Sequence, residues 1–139
     1  MKRREFTLAA SALALLPTAQ ASDDAMRAAI RAWAGRDPAP GALQIDIAAL
    51  VENGNAVPVR VAAAEPVVGL ALFTPLNPEP DVVHVAFGAA AVAAVRPEFS
   101  TRMRLARSQR VVAVAKAADG RCWQAGVDVV VTLAACVEP

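Results

Sequence analysis

The chain has 139 residues, 56% of them hydrophobic but only 4% aromatic, and a formal net charge of +1. One ordinary domain fits that length, and so small a positive charge excludes a nucleic-acid binder that works by neutralising phosphates. With few aromatic rings the core has to be built from Val, Leu, Ile and Ala, and Val dominates the second half. β-Branched side chains suit pleated, half-buried surfaces, so composition points to an all-β domain.

Residues 1–21 read as a targeting segment. Lys2, Arg3 and Arg4 make a positive start, the 8–16 stretch is apolar, and Ala19-Gln20-Ala21 is a small-x-small cleavage signal. The apolar run is too short to span a bilayer. Arg3-Arg4-Glu5-Phe6-Thr7-Leu8 also fits the twin-arginine export pattern; the alternative is an ordinary secretory signal with a chance pair of arginines. Either route leads out of the cytoplasm, to the periplasm. The segment carries a net +2, which leaves the 22–139 domain near −1.

Ser22-Asp23-Asp24 opens that domain as a helix start, with Ser22 as the cap and the two acids at the positive end of the helix. Met26, Ile30 and Trp33 recur as one apolar stripe, with Arg27 and Arg31 off it, and Gly35 followed by Asp37-Pro38 stops the helix. From Gly41 the period becomes two. Leu43, Ile45 and Ile47 face one way and Gln44 and Asp46 the other, and Asn53-Gly54-Asn55 is a turn whose residues tolerate positive φ. Val57, Val59 and Val61 alternate with Pro58 and Arg60. Pro58 has no N–H to donate, which places this strand at an edge or gives it a bulge at that point.

Strands follow at 67–74 and 82–87, separated by a loop with Pro75, Pro78 and Pro80, and 89–95 fits a helical turn. Phe99, Thr101, Met103 and Leu105 alternate with Ser100, Arg102 and Arg104, and 110–117 is a further apolar run. Asp119-Gly120 is a hairpin signal. It leads into 121–133, a strand long enough to carry a bulge at Ala125-Gly126, with Val127, Val129, Val131 and Leu133 on its core face. About seven short strands separated by turns predict an immunoglobulin-like antiparallel β-sandwich preceded by one short N-terminal helix. A small closed barrel is the alternative.

Reactive groups are sparse. His84 lies alone in an apolar strand and reads as a structural residue with a hydrogen-bond partner. No His/Cys group has metal-ligand spacing, and neither a phosphate-cradling glycine loop nor a nucleophile elbow is present. Carboxylates are scattered at turns, so catalysis is not expected. Arg96, Arg102, Arg104, Arg107 and Arg110 form a local basic concentration. It is either the solvated face of two strands or a surface for an anionic substrate or an acidic partner. On one extended strand Arg102 and Arg104 point the same way and can share an anion.

Cys122 and Cys136 in an oxidising compartment suggest a disulfide. Distance opposes it: along an extended strand the 14 positions between them span roughly 45 Å, whereas a disulfide needs Cα atoms within about 7 Å. Only a folded-back tail or a tight hairpin at Ala125-Gly126 closes that gap. Cys122 then reads as a small apolar side chain in or near the core. Cys136, three positions beyond Leu133, is a reachable thiol near the chain end, and thiolate is its reactive form.

Several segments, taken together and in order, resemble the sulfur-carrying Y subunit of the bacterial thiosulfate-oxidising (Sox) system. They are Glu52-Asn53-Gly54-Asn55 with Val57-Pro58-Val59; Ser100-Thr101-Arg102-Met103-Arg104-Leu105-Ala106; Val111-Val112-Ala113-Val114-Ala115 with Asp119-Gly120 and Trp123; and 129–133 leading to a terminal cysteine. The resemblance implies an immunoglobulin-like sandwich paired with a smaller Z subunit. It implies a carrier with no catalysis and no cofactor of its own, which holds a covalent sulfur intermediate on Cys136. A c-type cytochrome complex couples thiosulfate to that cysteine and a manganese thiosulfohydrolase releases sulfate. The family tail reads Gly-Gly-Cys-Gly-Gly, slim and flexible, whereas this chain has Ala134-Ala135-Cys136-Val137-Glu138-Pro139. The alanines stiffen the approach, Val137 widens the tip, and Glu138 opposes thiolate formation and repels anionic thiosulfate. The competing readings are a binding or assembly module, and a degenerate paralogue that no longer carries sulfur.

Overall fold

A computed structural model of the chain describes residues 18–41, 43–88 and 96–133, with side chains from Ser22 onward. The start of the targeting segment (1–17), the helical turn expected at 89–95, and the 134–139 tail with Cys136 lie outside the described residues.

Helix α1 (Thr18–Ala34) begins four positions before the expected Ser22. Ala19, Gln20 and Ala21 are good helix formers with no breaker among them, so Ser22 lies inside the helix and does not cap it. The other end is as the sequence implies. Gly35 takes φ 82° and its N–H donates to the Arg31 carbonyl at 2.8 Å, the left-handed ending that glycine makes inexpensive. Met26, Ile30 and Ala34 are buried, Trp33 is half-buried, and Arg27 and Arg31 are exposed.

Nine strands follow among the described residues: β1 (Ala39–Pro40), β2 (Leu43–Asp46), β3 (Leu50–Asn53), β4 (Val57–Ala63), β5 (Gly69–Phe73), β6 (Asp81–Ala86), β7 (Glu98–Met103), β8 (Gln109–Lys116) and β9 (Cys122–Leu133). The larger sheet runs β1-β9-β8-β5-β6, with β3 also on β9, and the smaller runs β2-β4-β7. No ladder joins the two sheets, so the fold is a sandwich and not a closed barrel. It is not wholly antiparallel: β1 and β3 both pair parallel to β9. Between them the chain crosses to the other sheet as β2 and returns, visiting β9 twice in one direction.

The core is the meeting of two alternating faces. Val57, Val59 and Val61 of β4 and Met103 of β7 face Leu70 and Leu72 of β5, Val111 and Ala113 of β8 and Val129 of β9, all at most 3% exposed. β4 turns out to be the central strand of its sheet, but β2 reaches no further along it than Arg60. Pro58 therefore has a neighbouring strand on one side only, and its missing N–H costs no rung on the open side.

The β8–β9 hairpin turns at Ala118-Asp119-Gly120. Gly120 takes φ 90°, Asp119 Oδ1 accepts from the Arg121 N–H at 3.0 Å, and Ala117 N–H donates to the Arg121 carbonyl. The pairing then runs unbroken from Lys116↔Cys122 to Gln109↔Val129, so the bulge expected at Ala125-Gly126 does not exist. Gly126 has a different cause. A Cβ there would lie 2.5 Å from Arg110 Nε; the glycine makes room for the Arg110 side chain as it reaches across to Asp128 at 3.3 Å. Val129 is buried and Val127 and Val131 are partly so, but Leu133, expected on the core face, is 62% exposed because β9 outruns the facing sheet.

The outer face of the larger sheet carries α1. Met26, Ile30 and Ala34 pack on Ala71, Phe73, Val112, Val114 and Cys122. Trp33 settles over Gly69, where a Cβ would stand 2.9 Å from the indole Cζ2. Lys116 completes the seat, its Nζ 4.5 Å from the Trp33 ring centroid and bonded to the Trp33 carbonyl at 3.1 Å. Gly69→Ala should therefore destabilise the fold by about 1–3 kcal/mol, the usual cost of overpacking. In chemical denaturation that cost should largely vanish in a Trp33→Ala background; simple additivity of the two changes would show that Gly69 does not seat the indole.

Candidate functional site

The site is built where β9 ends, because that strand leads into the tail. Backbone and side-chain bonds hold its last residues on both edges. On one edge Val130 N–H donates to the Ala49 carbonyl at 2.8 Å, β3 pairs up to Leu133, and Gly54 N–H donates to the Leu133 carbonyl at 2.9 Å. On the other, β8 has already ended, and Ser108 takes over its ladder: Val131 N–H donates to Ser108 Oγ at 2.8 Å. A hydroxyl can accept and donate at once, so this side chain supplies a rung the backbone no longer provides.

Gly54 is a junction. Besides holding Leu133, its carbonyl accepts from the Leu105 N–H at 2.8 Å. It does not adopt the positive φ expected of it; the turn is stabilised by Asn53, whose Oδ1 accepts from the Asn55 N–H at 2.9 Å. The 104–108 loop is pinned from a third direction by the half-buried Asn77. Asn77 Nδ2 donates to the Arg104 carbonyl at 2.8 Å, and its Oδ1 accepts from the Ala106 N–H and from Gln109 Nε2. Gln109, 7% exposed, in turn accepts from the Leu76 N–H at 2.9 Å. Three loops and the root of the tail thus form one hydrogen-bonded platform at one end of the sandwich.

The sequence-nominated residues fall around it as follows. Cys136 lies outside the described residues, beyond Leu133. Arg102 is exposed on the outer face of β7, opposite Pro58. The strand ends at Met103, so Arg104 lies just beyond it in the pinned loop, where exposed Arg102 and Arg104 still alternate with buried Met103 and Leu105. Arg107 is exposed in the same loop. None of these three makes an ion pair among the described residues, in contrast to Arg60 and Arg110. Arg60 bridges Asp46, at 2.8 Å, and Glu98. Hydrogen bonds from Gln44 and Arg60 hold the Asp46 carboxyl below the usual carboxylate value.

Cys122 is a free, buried thiol beneath α1, and burial raises its pKa above the ordinary thiol value, against a smaller opposing pull from Arg36. It behaves as the small core side chain the sequence implies. His84 stands half-exposed on the outer face of β6, with its ring centroid 5.6 Å from Trp33 and 5.7 Å from Phe73, and Nε2 3.6 Å from Asp81 Oδ1. A cleft of about 530 Å³ between α1 and β9 is lined by Arg27, Arg110 and Gln124, among others. It lies beside the middle of β9, seven positions from Leu133, and holds no nucleophile. Among the described residues no group of three or more His, Cys, Asp and Glu could hold a metal, and no helix is long and apolar enough to cross a membrane.

The two sheets, the helix on the outer face and the anchored end of β9 define an all-β sandwich with one N-terminal helix. The chain belongs to the family of sulfur oxidation protein SoxY, which it matches over residues 30–136, up to and including Cys136. It is similar to the structure of the sulfur carrier protein SoxY from Chlorobium limicola f thiosulfatophilum, with 33% identity and a TM-score of 0.68, over 80% of this chain and 99% of that one. Superoxide reductases share the fold alone. The neelaredoxin of Ignicoccus hospitalis is 20% identical with a TM-score of 0.55, covering 67% of this chain and 82% of its own. A putative superoxide reductase from Thermotoga maritima is 17% identical with a TM-score of 0.54, covering 71% and 89%. Comparison with curated proteins finds no match.

The platform escaped sequence reasoning because its bonds join residues some 30 positions apart; only Asn53-Gly54-Asn55 left a local trace. Two outcomes follow. Asn77→Ala should cost about 1–3 kcal/mol in chemical denaturation, since it strands the Ala106 N–H and the Arg104 carbonyl and leaves Gln109 Nε2 with the Arg107 carbonyl alone, and it should speed amide exchange at Leu105 and Ala106. The native chain should take one equivalent of a neutral thiol reagent, at Cys136, and the unfolded chain two. Complete protection with a mass two protons light would instead reveal a Cys122–Cys136 bond.

Proposed function

We propose that this protein is a periplasmic sulfur carrier of thiosulfate oxidation, with Cys136 as the covalent attachment point. The observation that carries the reading is the anchored end of β9. It is held on one edge up to Leu133 and on the other up to Val131, and the SoxY family match runs on from there to the cysteine at 136. A thiol so placed is presented by a firm base, while Cys122 is buried and protonated at neutral pH and does not compete.

On this reading residues 1–21 direct export, through the twin-arginine route, and are removed, so that the working protein is 22–139. Oxidative coupling joins the Cys136 sulfur to the outer sulfur of thiosulfate. The thiol loses its proton, and two electrons leave to a c-type cytochrome complex. Water then attacks the sulfonate sulfur in the thiosulfohydrolase, which releases sulfate and leaves a persulfide on Cys136. The carrier contributes position, not catalysis, and needs no resident cofactor; a Z subunit pairs with it.

Thiosulfate and the cytochrome complex should together add a thiosulfonate group to the mature chain, seen by intact-mass spectrometry. Cys136→Ser should abolish the adduct while Cys122→Ser leaves it. An unmodified wild-type chain under those conditions would favour a binding or assembly module instead.

A further inference from the structure

The features left unused by the fold gather at the tail's root. Arg102, Arg104 and Arg107 are exposed and make no ion pair among the described residues, and the carboxylates of Glu52 on β3 and Glu79 in the 74–80 loop bond to none of them. Exposed guanidinium groups without a carboxylate partner leave a local positive potential that an external group can answer. It is not a floppy cluster. The carbonyls of Arg104 and Arg107 accept from Asn77 Nδ2 and Gln109 Nε2, and the N–H groups of Leu105 and Ala106 donate to Gly54 and Asn77. The guanidinium groups therefore project from a preorganised frame.

The second observation concerns apolar surface. The large exposed hydrophobics among the described residues are Leu50, Val130 and Leu133, at 63%, 53% and 62% exposure. Leu50 and Val130 are register partners on the outer face of the larger sheet, whereas Leu133 has the core-face parity and ends the strand beyond the cover of the facing sheet. Leu133 thus sits at the tail's root with the arginine loop bound nearby through Gly54 and Ser108. An apolar side chain beside exposed arginines suits a protein contact, and the charge calls for an acidic partner.

Resting on the carrier reading, we infer that this end of the sandwich is a docking face. Arg102, Arg104 and Arg107 meet an acidic rim around the active-site mouth of the protein that acts on Cys136, while Leu133 presses on an apolar part of that rim. From Leu133 to Cys136 the chain extends at most about 10 Å, so a partner that takes the thiol inside has to come against this face. The sandwich thereby supplies encounter and orientation, and the tail supplies only reach.

The test compares wild type with the double variant Arg104→Glu/Arg107→Glu, both as mature chain with its Z subunit, in cytochrome-dependent loading of thiosulfate below saturation. The expected result is a loading rate at least about tenfold slower in the variant at low salt. The wild-type rate should fall as salt rises and the variant's should not. Thermal unfolding and the reaction of Cys136 with a neutral maleimide should be unchanged. Equal loading rates and equal salt dependence, with both proteins loading, would overturn the docking face and leave the carrier intact. A dianionic aromatic disulfide reagent gives the other decision: if the variant is slowed as much with it as with the cytochrome complex, the arginines act on a small anion, and a partner surface is overturned. Failure of the wild type to load at all would remove the carrier reading and this inference with it.

Discussion

The register of β9 against β8 is the constraint on which the other arrangements hang. Side chains on a strand alternate between faces, so a slip by one residue would exchange every one of them. In the observed register Trp123, Val127, Val129 and Val131 face the opposing sheet, while Cys122, Gly126 and Asp128 face outward. The outward set matters as much as the inward one. Cys122 has to be small and apolar because α1 covers it, and Gly126 has to lack a side chain because Arg110 lies across it. The tight Asp119-Gly120 turn sets this register locally, and twelve residues of β9 carry it to the other end of the molecule.

That same strand connects the two halves of the design. At its beginning it helps to seat the helix; at its end it delivers the tail. The two are separated by the sandwich's length, and the cleft under α1, with its own arginines, lies beside the middle of β9 and not at its end. The termination of β9 is also unusual in its support. β8 stops at Gln109, and where a free edge would begin, the Ser108 hydroxyl supplies the next rung, while β3 and the Gly54 N–H hold the opposite edge. A strand end held this way frays less than one whose last rungs face water, so positional error at the tail's root is small.

The departure of the tail from a glycine-rich sequence gains meaning against that background. In place of the family's glycines, Ala134 and Ala135 follow Leu133, and alanine has less backbone freedom than glycine. Val137 and Glu138 change what a partner's cavity has to accept: one adds width, the other charge. On the carrier reading, a tail with fewer glycines leaves more of the recognition to the body, and the exposed Arg104 and Arg107 lie in the loop bonded beside the end of β9.

Much of the fold was legible in the residues. The alternation of Val57, Val59 and Val61, the stripe of Met26, Ile30 and Trp33, the stop at Gly35 and the hairpin at Asp119-Gly120 are local codes, and each appears in the structure where its period or turn chemistry puts it. Local codes failed where a distant residue decided the outcome. Gly126 reads as a bulge but makes room for Arg110, and Leu133 kept the right parity but ran past the sheet that was to cover it. The sequence by itself determined the class of fold, the strands and the thiol near the end of the chain, because periodicity and chemistry are properties of neighbours. Only the tertiary structure decided that three loops lock around the root of the tail and gather arginines there, because hydrogen bonds between residues 30 positions apart leave no period to read.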